Sequence, residues 1–198
     1  CGAHKSGRLS PRIDADFPFD SVAGSADLIA QDDAQFAAQL EQCFDFARTC
    51  SQLLPAEVRS AEFMAKMDRD AWYIRRNEAA IQRYLRGNSG LIALCHWNAH
   101  IDNCFFVRKP GRGLECGFID WGRVGQITFG SALWGGLSAA HQDVWDFHLD
   151  ELLELFAGEY RIAGGPAVSA TELKRHLTLH IAAMGMARPV RNTNEMIG

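Results

Sequence analysis

Residues 94–122 read LCHWNAHIDNCFFVRKPGRGLECGFIDWG, and this stretch decides the fold. Three short apolar runs end on or enclose its polar residues; they are residues 91–95, 104–107 and 114–119. A strong turn signal, KPGRG at residues 109–113, separates the second run from the third. The pattern predicts a polar loop, a β-hairpin and a second polar loop. We therefore expect Asn98, Asn103 and Asp120 to lie near one another.

Four helices are predicted around this stretch from apolar residues at three-to-four spacing; they cover residues 31–54, 60–86, 142–160 and 171–184. Pro55 ends the first helix, and Gly87 with Asn88 ends the second. In the third helix, Phe147 is expected to face inward together with Val144, Leu149, Leu152, Leu153 and Phe156. Helices, a small β region and more helices predict an α+β class that is mostly α.

The bulk properties predict a soluble globular protein. The 198 residues are enough for one domain with a core, and 47% hydrophobic with 22% charged residues is an ordinary balance. A net charge of -4 gives no reason to expect nucleic acid as a partner. No run of about 18 apolar residues occurs, so we expect no membrane span.

The chain carries six cysteines, none of them in a C-x-x-C pair. This argues against a zinc ribbon or a thioredoxin-like site. Several lie inside apolar runs, where a reduced cysteine behaves as a small hydrophobic residue. A reducing compartment, the cytoplasm, is therefore the expected location.

The organising stretch resembles a known catalytic loop. Residues 96–103 have the form H-x-N-x-x-x-x-N, and I-D-W-G follows at 119–122. This is similar to the aminoglycoside phosphotransferase and choline kinase group (CHK kinase-like), whose pattern is H-G-D-x-x-x-x-N, a hairpin, then hydrophobic-D-[FW]-[GE]. The resemblance covers roughly residues 31–185. It implies a protein-kinase-like C-terminal lobe, a helical bundle with a small β-hairpin that carries the catalytic loop.

The resemblance also implies a function and a set of site residues. Members of the group transfer phosphate from ATP to a hydroxyl of a small molecule, with Mg²⁺ as cofactor. Asn103 and Asp120 match the residues that bind the metal and, through it, the nucleotide. His96 matches the loop histidine, which is mainly structural in kinases. Asn98 stands at the position of the catalytic Asp.

The substitution at Asn98 opens an alternative. An amide cannot take a proton at neutral pH, although its carbonyl accepts hydrogen bonds. General-base help is typically worth about 10²–10⁴ in rate, whereas positioning and charge stabilisation do most of the work in phosphoryl transfer. The alternative is a non-catalytic, pseudokinase-like binding module. Trp97 also replaces a small Gly and would crowd the loop, and nearby Asp102 offers a substitute carboxylate.

The N-terminal lobe of such a kinase has no counterpart in the sequence. Neither a Gly-rich G-x-G-x-x-G loop nor a strand lysine of the V-A-I-K type precedes the helices. Residues 1–30 are expected to be irregular, 31–185 to form the kinase-like lobe and 186–198 to be a polar tail. The chain starts without Met, which suits a piece of a longer protein. Its expected partners are a missing N-terminal lobe or a second copy.

For several other residues, the sequence allows more than one interpretation. The pairs His96/His100 and His176/His180 are spaced for a zinc-dependent hydrolase, or they are packing and surface residues. The acidic face at residues 143–154 is either solvated or, with Trp145, lines a site for a cationic acceptor. Arg123 could approach a phosphate. The sequence does not choose the acceptor.

Overall fold

The computed structural model describes residues 1–19, 32–111 and 113–187. The chain forms two compact units. The first unit comprises Cys1–Ser25 with Arg83–Ile181, and the second comprises Ala26–Gln82 with Ala182–Gly198. The predicted polar tail lies outside the described residues from residue 188 onward.

The described elements confirm a mostly α, α+β chain. Seven α-helices are described; they are α1 (Gly2–Lys5), α2 (Ile13–Asp16), α3 (Asp33–Thr49), α4 (Ala61–Gly87), α5 (Phe129–Leu137), α6 (Leu149–Ile162) and α7 (Ala170–Ala187). Four strands accompany them; they are β1 (Ile92–His96), β2 (Cys104–Lys109), β3 (Gly113–Phe118) and β4 (Val124–Thr128). The four predicted helices and the three predicted strands are all present, with ends shifted by a few residues.

The strands form two separate antiparallel pairs in the first unit. In one pair, β2 and β3 make the predicted hairpin, with Cys104 opposite Phe118. In the other, β1 pairs with β4, so that His96 lies opposite Val124. The β1–β4 pairing brings the two ends of the segment 97–123 next to each other. This segment contains the candidate loop, the hairpin and Asp120.

Phe129, which is fully buried, stands at the centre of the first unit's core. Its ring meets Phe156 and Tyr160 edge-on, with centroids 5.1 and 4.9 Å away. Tyr160 is buried, and its hydroxyl donates to the carbonyl oxygen of Gly90 at 3.0 Å. Burial raises the pKa of Tyr160 to about 12. These contacts pack α5 against α6, and the Tyr160 hydrogen bond links α6 to the residues just before β1.

In the second unit, α3 packs its predicted apolar face. Phe36, Leu40 and Phe44 are buried, and Phe36 meets Trp72 edge-on at 5.1 Å. Asp32 begins the helix with a capping box, in which its carboxylate accepts from the backbone N–H of Gln35 at 2.8 Å. The sequence periodicity therefore predicted this helix correctly.

Two local expectations differ from the structure, and one stretch without a predicted element is folded. The segment 1–30 was expected to be irregular, but its described part contains α1 and α2. The glycine-rich residues after 122 form β4 and α5, and the Thr128 hydroxyl accepts from the backbone N–H of Ser131 at the start of α5. Phe147 is 77% exposed instead of facing inward, because a π-helical turn, Val144–His148, changes the helical register ahead of α6.

Within the described ranges, no helix is both long enough and apolar enough to cross a membrane.

Candidate functional site

His96 holds the two ends of the candidate site together. Its ring nitrogen Nδ1 accepts from the backbone N–H of Asn98 at 3.2 Å, and Nε2 lies 2.9 Å from the carbonyl oxygen of Ile119. Because a backbone N–H can only donate, Nδ1 is the acceptor and Nε2 carries the proton. The ring therefore ties the start of the loop to the residue just before Asp120. This arrangement gives His96 a positioning role.

The loop is closed by Asn103. Its side-chain Nδ2 donates to the backbone carbonyl of Asn98 at 2.8 Å. The backbone carbonyl of Asn103 accepts from the backbone N–H of Ile119 at 2.9 Å. Asn98, Asn103 and the residue preceding Asp120 thus share one hydrogen-bonded network. The backbones of the two polar loops are thus joined between Asn103 and Ile119.

Asp120 has an unusual backbone. Its φ of 58° and ψ of 54° lie in the left-handed region, and no other non-glycine residue of the described chain has a positive φ. That region costs a non-glycine residue about 1 kcal/mol or more, although Asp tolerates it better than most residues. Its side chain is exposed and makes no capping hydrogen bond within the described part of the protein. Such local strain is typical of functional positions.

An aromatic cluster supports the turn at Asp120. The rings of His96 and Trp121 meet edge-on with centroids 4.8 Å apart, and Phe118 lies 5.7 Å from His96. The indole N–H of Trp121 donates to the carbonyl of Phe118 at 3.0 Å. These contacts fix the residues on either side of Asp120 and so stabilise its strained backbone.

The loop rests on α5, a helix that sequence reasoning missed. A Cβ placed on Gly135 would overlap the carbonyl oxygen of Trp97 and approach the Cα of Asn98. A Cβ on Gly136 would only come within 3.7 Å of the carbonyl oxygen of Ala99. The glycine at 135 is therefore required for close approach of the helix to the loop backbone. The signal in the sequence is the run of small residues in α5, which permits this close approach.

Trp97 and Arg123 pair with each other. The guanidinium of Arg123 lies over the indole ring of Trp97, 4.4 Å from its centroid, which is a cation–π contact. The sequence suggested that Arg123 could approach a phosphate. In this structure its position is set by Trp97, and the indole itself packs against the core instead of filling the loop.

The oxygen atoms around Asn103 and Asp120 suit a hard cation. The Nδ2 of Asn103 is already used by Asn98, so its side-chain oxygen is the atom left for a ligand. The Asp120 side chain is exposed and adds a carboxylate. Mg²⁺ usually takes one or two protein oxygens and completes its shell with phosphate and water. Among the described residues, no group of three His, Cys, Asp or Glu could hold a metal ion.

Within the described residues, neither histidine pair belongs to a group of three His, Cys, Asp or Glu that could hold zinc. Both ring nitrogens of His96 make hydrogen bonds, and Nδ1 of His100 accepts from the backbone N–H of Asp102 at 3.2 Å. His176 and His180 are buried in α7, only 1% and 5% exposed. They have no third ligand of the His, Cys, Asp or Glu type in the part of the chain that the structure describes. The packing interpretation fits both pairs, and the Asp102 carboxylate is exposed to solvent.

The acidic face is partly neutralised by neighbouring bases. Asp150 accepts from Lys174 at 2.6 Å, and Glu151 lies 3.7 Å from His148. Trp145 lies against Trp134, with ring centroids 6.1 Å apart. The solvated-face interpretation of residues 143–154 therefore has the stronger support.

Comparison of the chain with protein-family models, with curated proteins and with solved structures gives no significant match.

Proposed function

We propose that the chain is the helical lobe of a kinase-like small-molecule phosphotransferase. One observation carries this proposal: Asn98, Asn103 and Ile119 share a hydrogen-bonded network, and Ile119 immediately precedes the strained, exposed Asp120. The order along the chain is loop, hairpin and acid, as the resemblance to the aminoglycoside phosphotransferase and choline kinase group implies. The complete protein would transfer phosphate from ATP to a hydroxyl of a small molecule.

Each site residue has a proposed task. Asn103 and Asp120 supply the oxygens that would hold Mg²⁺, whose positive charge offsets the charge of the nucleotide phosphates. Asn98 would orient the acceptor hydroxyl through the oxygen of its side chain. His96 would keep Asn98 and Ile119 in register through its two ring hydrogen bonds. Helix α5 packs against the loop backbone through Gly135.

The test is Mg²⁺-dependent ATP binding, measured calorimetrically on protein expressed from the whole parent gene. We expect the wild type to bind ATP more tightly with Mg²⁺ than without it, and Asp120→Ala to lose that Mg²⁺ dependence. Asp68→Ala, which removes an exposed acid on α4, is the matched control and should bind as the wild type does. Undiminished binding by Asp120→Ala would remove the metal assignment.

The second candidate function is a non-catalytic binding module, favoured by Asn98 itself. Without a carboxylate at this position, proton removal from the acceptor lacks its usual general base. The discriminating variant is Asn98→Asp in the whole parent protein. A gain of about tenfold or more in ATP turnover would indicate that the native amide limits catalysis. Efficient turnover by the unmutated protein would remove the binding-module reading.

For the 198-residue chain by itself, we propose no efficient ATP turnover. The phosphate-covering loop and the strand lysine that such kinases use have no counterpart in its sequence. A purified chain that turns ATP over at rates of 1 s⁻¹ or more, about the low end for kinases, would contradict this.

A further inference from the structure

A large apolar pocket lies beside the candidate loop, in the first unit. Its volume is about 560 Å³. Protein interiors seldom contain voids larger than a water molecule, whereas pockets of about 300–1,000 Å³ are typical of small-molecule sites. The walls come from β1, β4, α5, α6 and the N-terminal residues. A space of this size between packed elements suits a bound molecule.

The lining is almost entirely hydrocarbon. The apolar residues that line it include Leu94 of β1, Leu133 and Leu137 of α5, and Leu152 and Phe156 of α6. No Asp, Glu, Lys or Arg is among the described residues that line it. A charged ligand would lose its hydration there without gaining an opposite charge from a side chain.

The few polar side chains of the wall are neutral or already engaged. His96 lines the pocket, but both its ring nitrogens make hydrogen bonds to the backbone of the loop. The thiols of Cys1 and Cys95 face each other with sulfur atoms 3.3 Å apart. Burial raises the pKa of Cys95 to about 12, so this thiol stays protonated at neutral pH. The wall therefore offers weak hydrogen bonding and much apolar contact.

We propose that this pocket is a binding site for a neutral, predominantly apolar small molecule. The pocket lining does not include Asn103 or Asp120, the proposed metal ligands, and the proposal does not depend on nucleotide binding. It shares His96 and Trp121 with the aromatic cluster that supports Asp120. A bound molecule would therefore contact the same rings that hold the candidate loop in place.

Two leucines on α6 provide a matched pair of variants. Leu152 lines the pocket and is 37% exposed, whereas Leu155 lies outside it and is 59% exposed. Both are exposed enough for a glutamate to be solvated without unfolding the helix. Leu152→Glu places a carboxylate at the pocket, and Leu155→Glu places the same charge elsewhere on the same helix.

The probe is N-phenyl-1-naphthylamine, an uncharged molecule whose fluorescence rises in apolar surroundings. We expect saturable binding of one probe per wild-type chain, at least tenfold weaker binding to Leu152→Glu, and binding within twofold of wild type for Leu155→Glu. Circular dichroism of each variant reports whether the helices are intact. Absence of saturable binding to the wild type, or equal weakening in both variants, would overturn the proposal.

Displacement of the probe tests the ligand class. 1-Decanol, decylamine and decanoate have the same chain length and differ in charge near neutral pH. We expect decanol to displace the probe at a concentration at least tenfold lower than either charged analogue. If decylamine or decanoate displaces the probe as well as decanol does, the assignment to neutral ligands is wrong.

Discussion

The side-chain amide of Asn103 donates to the backbone carbonyl of Asn98 at 2.8 Å. This single bond joins the residue at the catalytic position to a proposed metal ligand five positions further along the chain. It also decides which atom of Asn103 is left for a cation, namely the side-chain oxygen. The geometry of the loop and its proposed chemistry therefore rest on the same amide group.

Replacement of Asn103 separates these two contributions. We expect Asn103→Ala to lower the free energy of unfolding by about 1 kcal/mol, the net value of one hydrogen bond, and to abolish Mg²⁺-dependent ATP binding. Asn103→Asp lacks the donor but keeps an oxygen, so it should lose at least as much stability and still bind Mg²⁺-ATP. Urea unfolding and calorimetry measure the two effects. Equal binding by Asn103→Ala and the wild type would contradict the ligand role.

The contact between α5 and the loop can be tested at Gly135. A methyl group there would overlap the carbonyl oxygen of Trp97, so we expect Gly135→Ala to lower the free energy of unfolding by about 1–3 kcal/mol. Gly158→Ala, in α6, is the control, since a Cβ at Gly158 meets no atom within 4 Å. It should stabilise the chain by about 0.5–1 kcal/mol. A neutral Gly135→Ala would indicate that the helix and the loop are not in close contact.

The buried His176 predicts a pH dependence of stability. Burial lowers its pKa below the ordinary value of 6.5, with the positive charge of Arg175 acting in the same direction and Glu172 opposing it. The His176 ring lies 5.0 Å from the ring of Tyr84, and its Nδ1 has no hydrogen-bond partner among the described residues. Because the unfolded chain binds the proton more readily, stability is complete above pH 6.5 and is lost as the pH falls below it. One such group contributes at most about 1.4 kcal/mol per pH unit.

The measurement is urea unfolding between pH 7.5 and pH 5. His176→Gln should flatten the decline of the unfolding free energy with falling pH. His141→Gln removes a 79% exposed imidazole and should leave the decline unchanged. If His176→Gln keeps the full wild-type slope, other groups account for the pH dependence.

The hairpin predicts self-association of the isolated chain. Phe105 and Phe106 of β2 are 47% and 51% exposed, and Leu114 of β3 is 60% exposed. A two-stranded hairpin with so much exposed apolar surface is a plausible contact for a further lobe or a second copy. We expect a concentration-dependent rise in sedimentation coefficient, reduced by Phe106→Lys. Phe147→Lys changes an equally apolar, 77% exposed residue elsewhere and should leave association intact. A wild-type chain that stays monomeric at 100 μM would refute this.

The elements that sequence predicted well are those with local signals. Apolar periodicity located α3 and α4, Gly87 marked the end of α4, and the turn at residues 109–113 located the hairpin. Pro55 did not mark the end of α3, which ends at Thr49. At the start of α7, the Ser169 side chain accepts from the backbone N–H of Glu172. Each signal lies within a few residues of the structure that it predicts.

The elements that were missed depend on distant partners. Gly135 looks like a break in the sequence, yet it belongs to a helix, and its need for space comes from Trp97, 38 positions earlier. Phe147 has an inward spacing that the π-helical turn overrides. The left-handed backbone of Asp120 is held by the aromatic contacts of Trp121, which no local pattern predicts. The candidate residues were therefore found by motif, but their hydrogen bonds and supporting helix needed the structure.

The central claim is that Asn103 and Asp120 together hold a divalent cation with the phosphates of a nucleotide. Paramagnetic broadening of backbone amide resonances by Mn²⁺-ATP tests it most directly, because the method detects even weak binding by the isolated chain. The account predicts broadening centred on residues 98, 103 and 120 that disappears in Asp120→Ala. Broadening centred instead on the acidic residues 143–154, or unchanged in Asp120→Ala, would contradict it.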